Sequence, residues 1–368
     1  MADKVKVGVI GVGQIGKRHV AGYAAMPNVE IVAVADLNGA EAERVAAEHG
    51  IARSFTNFRD LLALPEIQAV DVCLHNNFHA PVSIAAMQAG KEVFCEKPMA
   101  GTYIDALHMY EAAQKLGRKL GIQMVTVFSQ ECKTARRLID AGALGRLYYG
   151  RAVAFRRRGR PYVDGYGTSN FVQKATSSGG ALIDLGIYYI AQMLYLLGNT
   201  DVKTISGRTY QEIGMYDERR SNGRYDVEEL GLGLVRLAND VTLDIEVSWA
   251  QNYAAGESSK VLGSQGGLKL DPLSYYSTLG DVEMDSTFDL KSADFRWHAT
   301  DPNYSAYDGP QEHWIATLQG RVPGIDTAAL ALATALISEG IYLSSQLGRE
   351  VSIDEVRERS VSTSITEV

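Results

Sequence analysis

The chain has 368 residues, 46% of them hydrophobic and 22% charged, which is the composition of a soluble globular protein large enough for two domains. Its formal net charge of −8 argues against general affinity for nucleic acid, and no run approaches 18 uninterrupted apolar residues, so we expect neither a nucleic-acid partner nor a membrane span. Cys73, Cys95 and Cys132 do not form a disulfide framework and lack the spacing of a metal site. We therefore predict reduced thiols, no metal and, with no signal-peptide layout at the N-terminus, a cytoplasmic location.

Strand and helix patterns alternate through the first third of the chain. The predicted strands cover 5–13, 29–36, 69–75, 91–98 and 119–127, and the predicted helices cover 14–26, 40–50, 58–64, 80–90 and 102–117. Strands that alternate with helices form parallel βαβ units. This pattern predicts an N-terminal Rossmann domain, an α/β fold with a doubly wound parallel sheet, over 1–125.

After residue 127 the pattern changes. A helix over 133–145, a strand over 147–159 and a helix starting at 179 precede four strand-like runs joined by Gly, Asn and Asp turns, at 202–211, 228–237, 241–250 and 259–270. A late helix over 326–348 is followed by a polar tail. We predict a C-terminal α+β domain over 126–368 with a large open, mainly antiparallel sheet, which serves substrate binding and oligomerisation.

A glycine-rich turn follows the first predicted strand. Gly11, Gly13 and Gly16 have the spacing G-x-G-x-x-G between a strand and a helix, and Gln14 and Ile15 complete the loop. Glycines at these positions allow a tight turn, close approach of the backbone to a pyrophosphate and close packing of helix on strand. The helix N-terminus then presents its positive end to the pyrophosphate. We predict a dinucleotide site here, in preference to a tight turn without a ligand.

Asp36 ends the second predicted strand 20 residues after Gly16, where the ribose-binding acid of such folds belongs. A carboxylate accepts hydrogen bonds from the ribose diol but repels a 2′-phosphate. The next residues, Leu37 and Asn38, provide no arginine to reverse that preference. The predicted cofactor is therefore NAD rather than NADP.

Three further stretches carry a resemblance to a known family. HNNFH (75–79), EKP (96–98) and GGALIDLGIYY (179–189) are similar to signatures of the Gfo/Idh/MocA family, named for glucose–fructose oxidoreductase, inositol dehydrogenase and a rhizopine-catabolism protein. The most specific stretch, NNFHAPVSIAAMQAGKEVFCEKPMA, resembles the family pattern N-x-x-H…GK-x-V-x-x-EKP. The resemblance covers nearly the whole chain and implies an NAD-dependent oxidoreductase.

The EKP motif supplies the first candidate catalytic residue. The resemblance implies that Glu96 and Lys97 lie at the nicotinamide and that Lys97 is catalytic. The position of Lys97 agrees, because it ends a strand at the carboxyl edge of the sheet and is followed by Pro98, which favours an extended backbone. A solvated surface lysine is the alternative.

The N-x-x-H motif supplies Asn76 and His79 as residues beside the cofactor, again by resemblance. His79 either lines the site, caps the next helix or packs under the nicotinamide. His75 stands where the family usually has proline, and its role is open.

A second motif supplies the acid–base residues. Most family members read D-x-G-x-H, whereas here Asp184 is followed four residues later by Tyr188, as in the branch with glucose–fructose oxidoreductase and the dimeric dihydrodiol dehydrogenases. This spacing places both side chains on one helix face. A tyrosine accepts a hydroxyl proton when a nearby cation, here Lys97, stabilises the phenolate. Asp184 either accepts a substrate hydroxyl or holds Lys97 and Tyr188 in register. A packing role, as expected of Tyr189 and Tyr195, is the alternative for Tyr188.

A basic run, FRRRGRP at 155–161, precedes a loop rich in aromatic and polar residues. A solvated face is the first interpretation of such a run. The sharper one is that an arginine within Arg156–Arg160 binds an anionic substrate group. Tyr162, Tyr166 and Lys174 are the predicted sugar contacts of the adjoining loop.

These features predict an NAD-dependent dehydrogenase that acts on a ring hydroxyl of a sugar, glycoside or cyclitol. Tyr188 and Lys97 carry the proton transfer and, with Asp184, contact the substrate. One alternative is an NAD-dependent glycosidase that uses transient oxidation and elimination, and another is a non-catalytic NAD-binding regulator. An open sheet needs covering, so we expect a homodimer or homotetramer.

Overall fold

The computed structural model describes residues 4–253 and 257–366. Their contacts divide the chain into two compact units. The first comprises the described residues of Met1–Gln123, Asp301–Ala329 and Ser362–Val368, and the second those of Met124–Thr300 and Leu330–Val361. The first unit thus ends at residue 123 and also takes up two later segments of the chain, whereas the predicted domains are two continuous ranges that meet between residues 125 and 126. The predicted domain boundaries stay a prediction.

The first unit is built on a six-stranded parallel sheet with the order β3-β2-β1-β4-β5-β6. Its strands are β1 (Val5–Ile10), β2 (Val29–Ala35), β3 (Ser54–Phe55), β4 (Ala69–Val72), β5 (Glu92–Cys95) and β6 (Leu120–Ile122). This order is that of a doubly wound dinucleotide-binding fold, as predicted. Because all strands are parallel, their carboxyl ends meet at one edge.

The helices that accompany this sheet are α1 (Gln14–Ala24), α2 (Gly39–His49), α3 (Phe58–Leu62), α4 (Asn76–Gln88), α5 (Tyr103–Leu116) and, later in the chain, α11 (Pro310–Leu318). Helix α2 ends at Gly50, whose φ of 65° lies in the left-handed region that glycine adopts at low cost. The core contains fully buried valines of β1 and β2, and Trp314 of α11 stacks on Phe94 of β5 with ring centroids 5.8 Å apart.

The second unit is built on a nine-stranded sheet with the order β14-β13-β12-β11-β7-β10-β9-β8-β15. Its strands are β7 (Leu147–Phe155), β8 (Val202–Tyr210), β9 (Leu230–Leu237), β10 (Val241–Ser248), β11 (Lys260–Gly263), β12 (Gly267–Leu270), β13 (Leu273–Leu279), β14 (Val282–Thr287) and β15 (Val351–Ser352). Within the described residues the neighbouring strands pair antiparallel except β7 with β10. The predicted large, mainly antiparallel sheet is confirmed.

The helices of the second unit are α6 (Gln130–Asp140), α7 (Lys174–Ser177), α8 (Ile187–Leu197), α9 (Asp217–Gly223), α10 (Leu290–Thr300) and α13 (Ile353–Arg359). Helix α12 (Thr327–Leu347) begins in the first unit and continues into the second. Strand β10 shows why one sheet face is buried: Val241, Leu243, Ile245 and Val247 are buried while the residues between them are partly exposed.

Two local predictions were wrong, and two strands were missed. The strand predicted to reach residue 127 ends at Ile122, and Val125–Phe128 forms a 3₁₀ helix. The predicted polar tail after residue 348 contains β15 and α13, the latter started by a capping box in which Ser352 and Glu355 bond each other's backbone N–H. The sequence pattern also missed β13 and β14, whose short polar alternation is a weak strand signal.

Two helical runs in the described residues, Lys174–Leu197 and Thr327–Leu347, are long and apolar enough to cross a membrane by length and composition alone. Their most apolar windows are 67% and 72% buried within the protein. Core helices of globular proteins have the same character, so the two runs are weak evidence for a membrane span.

Candidate cofactor and catalytic sites

The glycine-rich turn forms the link between β1 and α1. Gly11 has a φ of 92°, and a Cβ there would lie 2.3 Å from the carbonyl oxygen of Cys73. A Cβ on Gly16 would lie 1.9 Å from the carbonyl oxygen of Gly11, so only glycine lets α1 start this close to the strand. At Gly13, by contrast, a Cβ would meet nothing within 4 Å. The turn is therefore packed against the protein backbone at Gly11 and Gly16, whereas Gly13 faces open space.

The N-terminus of α1 is suited to an anion. Gly13 is the N-cap and supplies no side-chain cap, and Gln14 and Ile15 are exposed. The first backbone N–H groups of the helix therefore keep their donor capacity for a pyrophosphate.

Asp36 lies directly after β2 and is fixed by the backbone. Its Oδ2 accepts a hydrogen bond from the Val12 N–H at 2.8 Å, and its Oδ1 accepts one from the Asn38 N–H at 2.9 Å. The first bond ties the carboxylate to the glycine-rich turn. These residues fit a dinucleotide: the turn and α1 would hold the pyrophosphate and Asp36 the ribose diol.

The EKP motif follows β5 at the carboxyl edge of the first sheet. Glu96 and Lys97 are both partly buried, and Oε2 of Glu96 accepts a hydrogen bond from the backbone N–H of Lys97 at 2.9 Å. Lys97, the predicted cation, therefore lies in a turn whose backbone is fixed by the carboxylate of Glu96.

The N-x-x-H motif opens α4, with His75 as N-cap and Asn76 as the first helical residue. His79 is buried, and its ring nitrogens contact the carbonyl oxygen of Pro98 at 2.6 Å and that of Leu74 at 3.0 Å. Burial lowers the pKa of this imidazole, and the contacts with the two carbonyl oxygens oppose that shift. His79 thus ties the loop after β4 to the EKP turn; its predicted role beside the cofactor stays a prediction.

A buried polar cluster that the sequence did not indicate lies at the same sheet edge. His19 of α1 contacts Oδ2 of Asp71 through Nδ1 at 2.8 Å and Oε1 of Glu96 through Nε2 at 3.0 Å. Burial alone would lower the pKa of His19, but Asp71 and Cys73 together outweigh it and raise the pKa well above its usual value. The thiol of Cys73 lies 3.4 Å from Nδ1.

His19, Asp71 and Cys73 each place an atom within 4.8 Å of the others, so distance alone would allow them to share a metal ion. Both imidazole nitrogens already face carboxylate oxygens, however, and that is the environment of a protonated ring. The cluster was missed because its members are 52 and 77 residues apart in sequence.

In the second unit, Asp184 lies in a π-helical turn, Leu182–Gly186, that leads directly into α8. The sequence predicted an ordinary helix here. π-helical turns are rare and occur frequently at functional sites, because they shift one side chain relative to the regular helix. Tyr188 is the second residue of α8, and both side chains are partly buried.

Asp184 is oriented by two neighbours. The indole N–H of Trp249, a fully buried residue after β10, donates to Oδ2 of Asp184 at 3.0 Å. The guanidinium of Arg156 lies 3.9 Å from the same oxygen. The sequence did not single out Trp249, which ends a strand with ordinary alternation.

The backbone around Tyr188 is tied to the 3₁₀ helix Val125–Phe128. Thr126 Oγ1 donates to the carbonyl oxygen of Tyr188 at 2.6 Å, and the side-chain amide of Gln192 donates to the carbonyl oxygen of Thr126 at 3.0 Å. The second contact lies one helical turn beyond Tyr188, so the start of α8 is held on one side by side-chain hydrogen bonds.

The start of the π-helical turn is held by a buried carboxylate. Glu228 accepts hydrogen bonds from the N–H groups of Gly180 and Leu182 at 2.9 Å each and from the hydroxyl of Tyr342 at 2.9 Å. A Cβ on Gly180 would lie 1.9 Å from the carbonyl oxygen of Glu228, which explains the glycine. Burial raises the pKa of Glu228, and the three donors oppose that shift.

The arginines of the basic run have different environments. Arg160 is fully buried and bonds Asp164 at 2.9 Å and Glu229 at 2.8 Å, so its charge is neutralised within the protein. Arg157 and Arg158 are exposed. Arg156 bonds the Tyr166 hydroxyl, packs over that ring and also approaches Asp184.

The other predicted sugar contacts lie in different local clusters. Tyr162 packs against Arg219, whose guanidinium lies 4.6 Å from the ring centroid. Lys174 is exposed and lies 5.9 Å from the ring centroid of Tyr342, the residue that donates to Glu228. The structure thus brings Tyr166 to Arg156 but gives Tyr162 and Lys174 other neighbours.

A groove of about 970 Å³ lies on the exposed face of the second sheet. Its lining includes Tyr149, Thr242 and Leu262, and none of the predicted site residues lines it. We therefore assign the groove to the sheet face and not to the predicted catalytic residues.

Comparison with known proteins identifies the family of the chain. Residues 5–124 match the model of an oxidoreductase family with an NAD-binding Rossmann fold, and residues 132–269 match the GFO/IDH/MocA C-terminal domain. The D-glucoside 3-dehydrogenase of Escherichia coli is 29% identical over 360 residues, which cover 96% of this chain and 98% of that protein. The levoglucosan dehydrogenase of Pseudarthrobacter phenanthrenivorans is 29% identical over 67% of this chain and 68% of that protein.

An inositol 2-dehydrogenase of Salmonella typhimurium is 27% identical over 71% of this chain and 72% of that protein. Among solved structures, a levoglucosan dehydrogenase in complex with NADH and levoglucosan superposes with a TM-score of 0.79 at 22% identity, covering 95% of this chain and 100% of that one. That likeness establishes the fold. With both of its family domains matched and an NAD-binding Rossmann domain at its N-terminus, the chain belongs to the Gfo/Idh/MocA family of oxidoreductases.

Proposed function

We propose that this chain is a dehydrogenase that transfers hydride from a ring carbon bearing a hydroxyl, in a sugar, glycoside or cyclitol, to NAD. The observation that carries the proposal is the pair Asp184, in the π-helical turn and held by the buried indole N–H of Trp249, and Tyr188, at the start of α8. The relatives named for glucosides, levoglucosan and inositol support the substrate class, since all three are polyhydroxylated rings.

The acid–base roles follow from the side chains. Oxidising an alcohol removes a hydroxyl proton as hydride leaves the carbon, and NAD, when bound, accepts the hydride. We assign proton acceptance to the phenol of Tyr188 and assign Lys97 the cationic charge that stabilises the phenolate. Asp184 accepts a second ring hydroxyl, because its Oδ2 is already fixed by Trp249 and its carboxylate is a strong hydrogen-bond acceptor.

Arg156 lies beside Asp184 and contacts the aromatic loop through Tyr166. Since it approaches Asp184 and bonds Tyr166, it partly neutralises the carboxylate and supports the aromatic loop. Arg160 is excluded as an anion ligand by its two buried carboxylate partners. Arg156 is the arginine of this run for which the structure gives a contact with Asp184, so we assign to it any preference for an anionic substrate group.

The experiment that tests the proposal is a panel of monosaccharides, methyl and aryl glycosides and cyclitols, followed both by NADH absorbance and by chromatography of the products. Stoichiometric NADH and a keto product support the dehydrogenase. Release of the aryl group without NADH indicates the glycosidase, and NAD binding with no turnover of any compound indicates the regulator. Either of the last two results rejects the proposal.

We propose also that the chain assembles as a homodimer or homotetramer through the exposed face of the second sheet. Leu234 of β9 is 46% exposed on that face, and Arg151 pairs there with Asp244 and Glu246. Such a face of mixed apolar and charged residues is suited to a second copy. Light scattering after gel filtration should give a dimer or tetramer mass, and Leu234→Lys should lower it.

A further inference from the structure

The buried cluster around His19 connects two parts of the cofactor site that the sequence treats as separate motifs. His19 is in the first turns of α1, whose N-terminus carries the glycine-rich loop, and Glu96 is the first residue of EKP. His19 is 4% exposed and Asp71 is 0% exposed. The ring and the Asp71 carboxylate are thus shielded from water, and the Glu96 side chain is 13% exposed.

The geometry specifies the charge of the ring. Between two ionised carboxylates, an imidazole that faces an oxygen from each nitrogen, at 2.8 Å and 3.0 Å, donates to both only when both of its nitrogens carry protons. A neutral ring would leave one lone pair pointing at a carboxylate, which is repulsive and costly in a buried site.

The other groups around the ring do not change this conclusion. Burial and the Asp71 carboxylate raise the pKa of the Tyr23 phenol, so this neighbour on α1 stays neutral. Burial and the same carboxylate raise the pKa of the Cys73 thiol. Gln123, after β6, is uncharged and places its amide nitrogen 3.5 Å from Nε2 of His19. Asp71 and Glu96 are therefore the anions that the ring balances.

We propose that His19 is a positioning residue of the cofactor site: as a permanently protonated imidazolium it joins Asp71 to Glu96 and thereby fixes the EKP turn that carries Lys97. The consequence runs through Glu96, whose first oxygen contacts His19 while its second accepts the Lys97 N–H at 2.9 Å. Because His19 also belongs to α1, the same contact sets the EKP turn relative to the phosphate-binding loop.

This inference rests on the proposed function only for the role of Lys97; the charge of His19 can be measured without turnover. Protein labelled with ¹⁵N-histidine would be observed by NMR between pH 6 and pH 9, with the signal assigned by its loss in His19→Gln. We expect two protonated ring nitrogens for His19 at pH 8, and the ring of the exposed His108 serves as the reference signal. A ring with one unprotonated nitrogen at pH 8, whether neutral or bound to a metal ion, overturns the proposal.

A second measurement tests positioning by charge balance. The wild-type cluster carries +1 − 2 = −1, His19→Gln carries −2, and His19→Gln/Asp71→Asn carries −1 again. Misplacing a catalytic group should lower kcat of the single variant about 10-fold or more, while the Kd of NAD changes less. The double variant should regain part of that kcat, and His108→Gln should behave as wild type. If the kcat of the double variant is no higher than that of the single variant, His19 does not position the EKP turn through its charge. This result is distinct from failure of the proposed function, because NADH formation by the wild type tests the dehydrogenase activity separately.

Discussion

The indole N–H of Trp249 donates to Oδ2 of Asp184 at 3.0 Å from a ring that is fully buried. Trp249→Phe keeps an aromatic ring but removes this donor. A hydrogen bond to a charged group contributes about 1.5–3 kcal/mol, so we expect kcat to fall about 10-fold or more. The Kd of NAD, measured by calorimetry, should be unchanged, and Trp297→Phe is the matched control. Unchanged kcat in Trp249→Phe would show that this contact does not orient Asp184 for the reaction.

Asp36 determines cofactor choice in this account, because its carboxylate is tied to the phosphate loop through Val12. Asp36→Ala should raise the KM for NAD about 10-fold, as expected for the loss of hydrogen bonds worth about 1.4 kcal/mol, and should weaken the discrimination against NADP. The exposed Asp60→Ala is the control. If Asp36→Ala keeps the wild-type preference for NAD over NADP, residues other than Asp36 determine the choice of cofactor.

Glu228 fixes the backbone at the start of the π-helical turn, and the Tyr342 hydroxyl donates a hydrogen bond to Glu228. Tyr342→Phe removes one of the three donors to Glu228 and should lower the free energy of unfolding by about 1 kcal/mol. Glu228→Gln places an amide donor against two backbone donors and should cost more, about 1–3 kcal/mol. Urea unfolding of both single variants and the double variant forms a cycle. Additive effects would mean that the two residues do not act on the turn together.

The raised pKa of His19 predicts how stability depends on pH. The folded state keeps the His19 proton while the unfolded chain releases it above its normal pKa of about 6.5. This contribution is therefore complete below about pH 6.5 and is lost as pH rises toward the folded pKa, with a limiting slope of about 1.4 kcal/mol per pH unit. Urea unfolding at pH 6, 7.5 and 9 should show the stability advantage of wild type over His19→Gln shrinking as pH rises. An advantage that is constant with pH would contradict a protonated His19.

Local signals in the sequence were sufficient for the parts of the fold and site that are local in the chain. The parallel order of the first sheet follows from strand–helix alternation, and the glycine-rich turn and EKP each occupy a few consecutive residues at a strand end. The Asp184 and Tyr188 pair was visible for the same reason, as two residues on one helical segment.

The rest depended on contacts between distant segments. His19 meets Asp71 and Glu96 only after three segments reach the same sheet edge, and Trp249 meets Asp184 from 65 residues away. The π-helical turn is also nonlocal in origin, since Glu228 fixes the backbone N–H groups at its start. No spacing rule in a single sequence predicts these contacts, because each depends on the packing of complete elements.

Tyr188 is the proton acceptor of the proposed reaction. The most direct measurement compares Tyr188→Phe with Tyr189→Phe, its neighbour on α8, in the rate of NADH formation with a substrate found in the panel. General-base catalysis contributes about 10²–10⁴-fold, so Tyr188→Phe should lose at least about 100-fold in kcat with intact NAD binding, while Tyr189→Phe keeps near-wild-type turnover. Near-full turnover by Tyr188→Phe would show that the phenol of Tyr188 does not accept the proton.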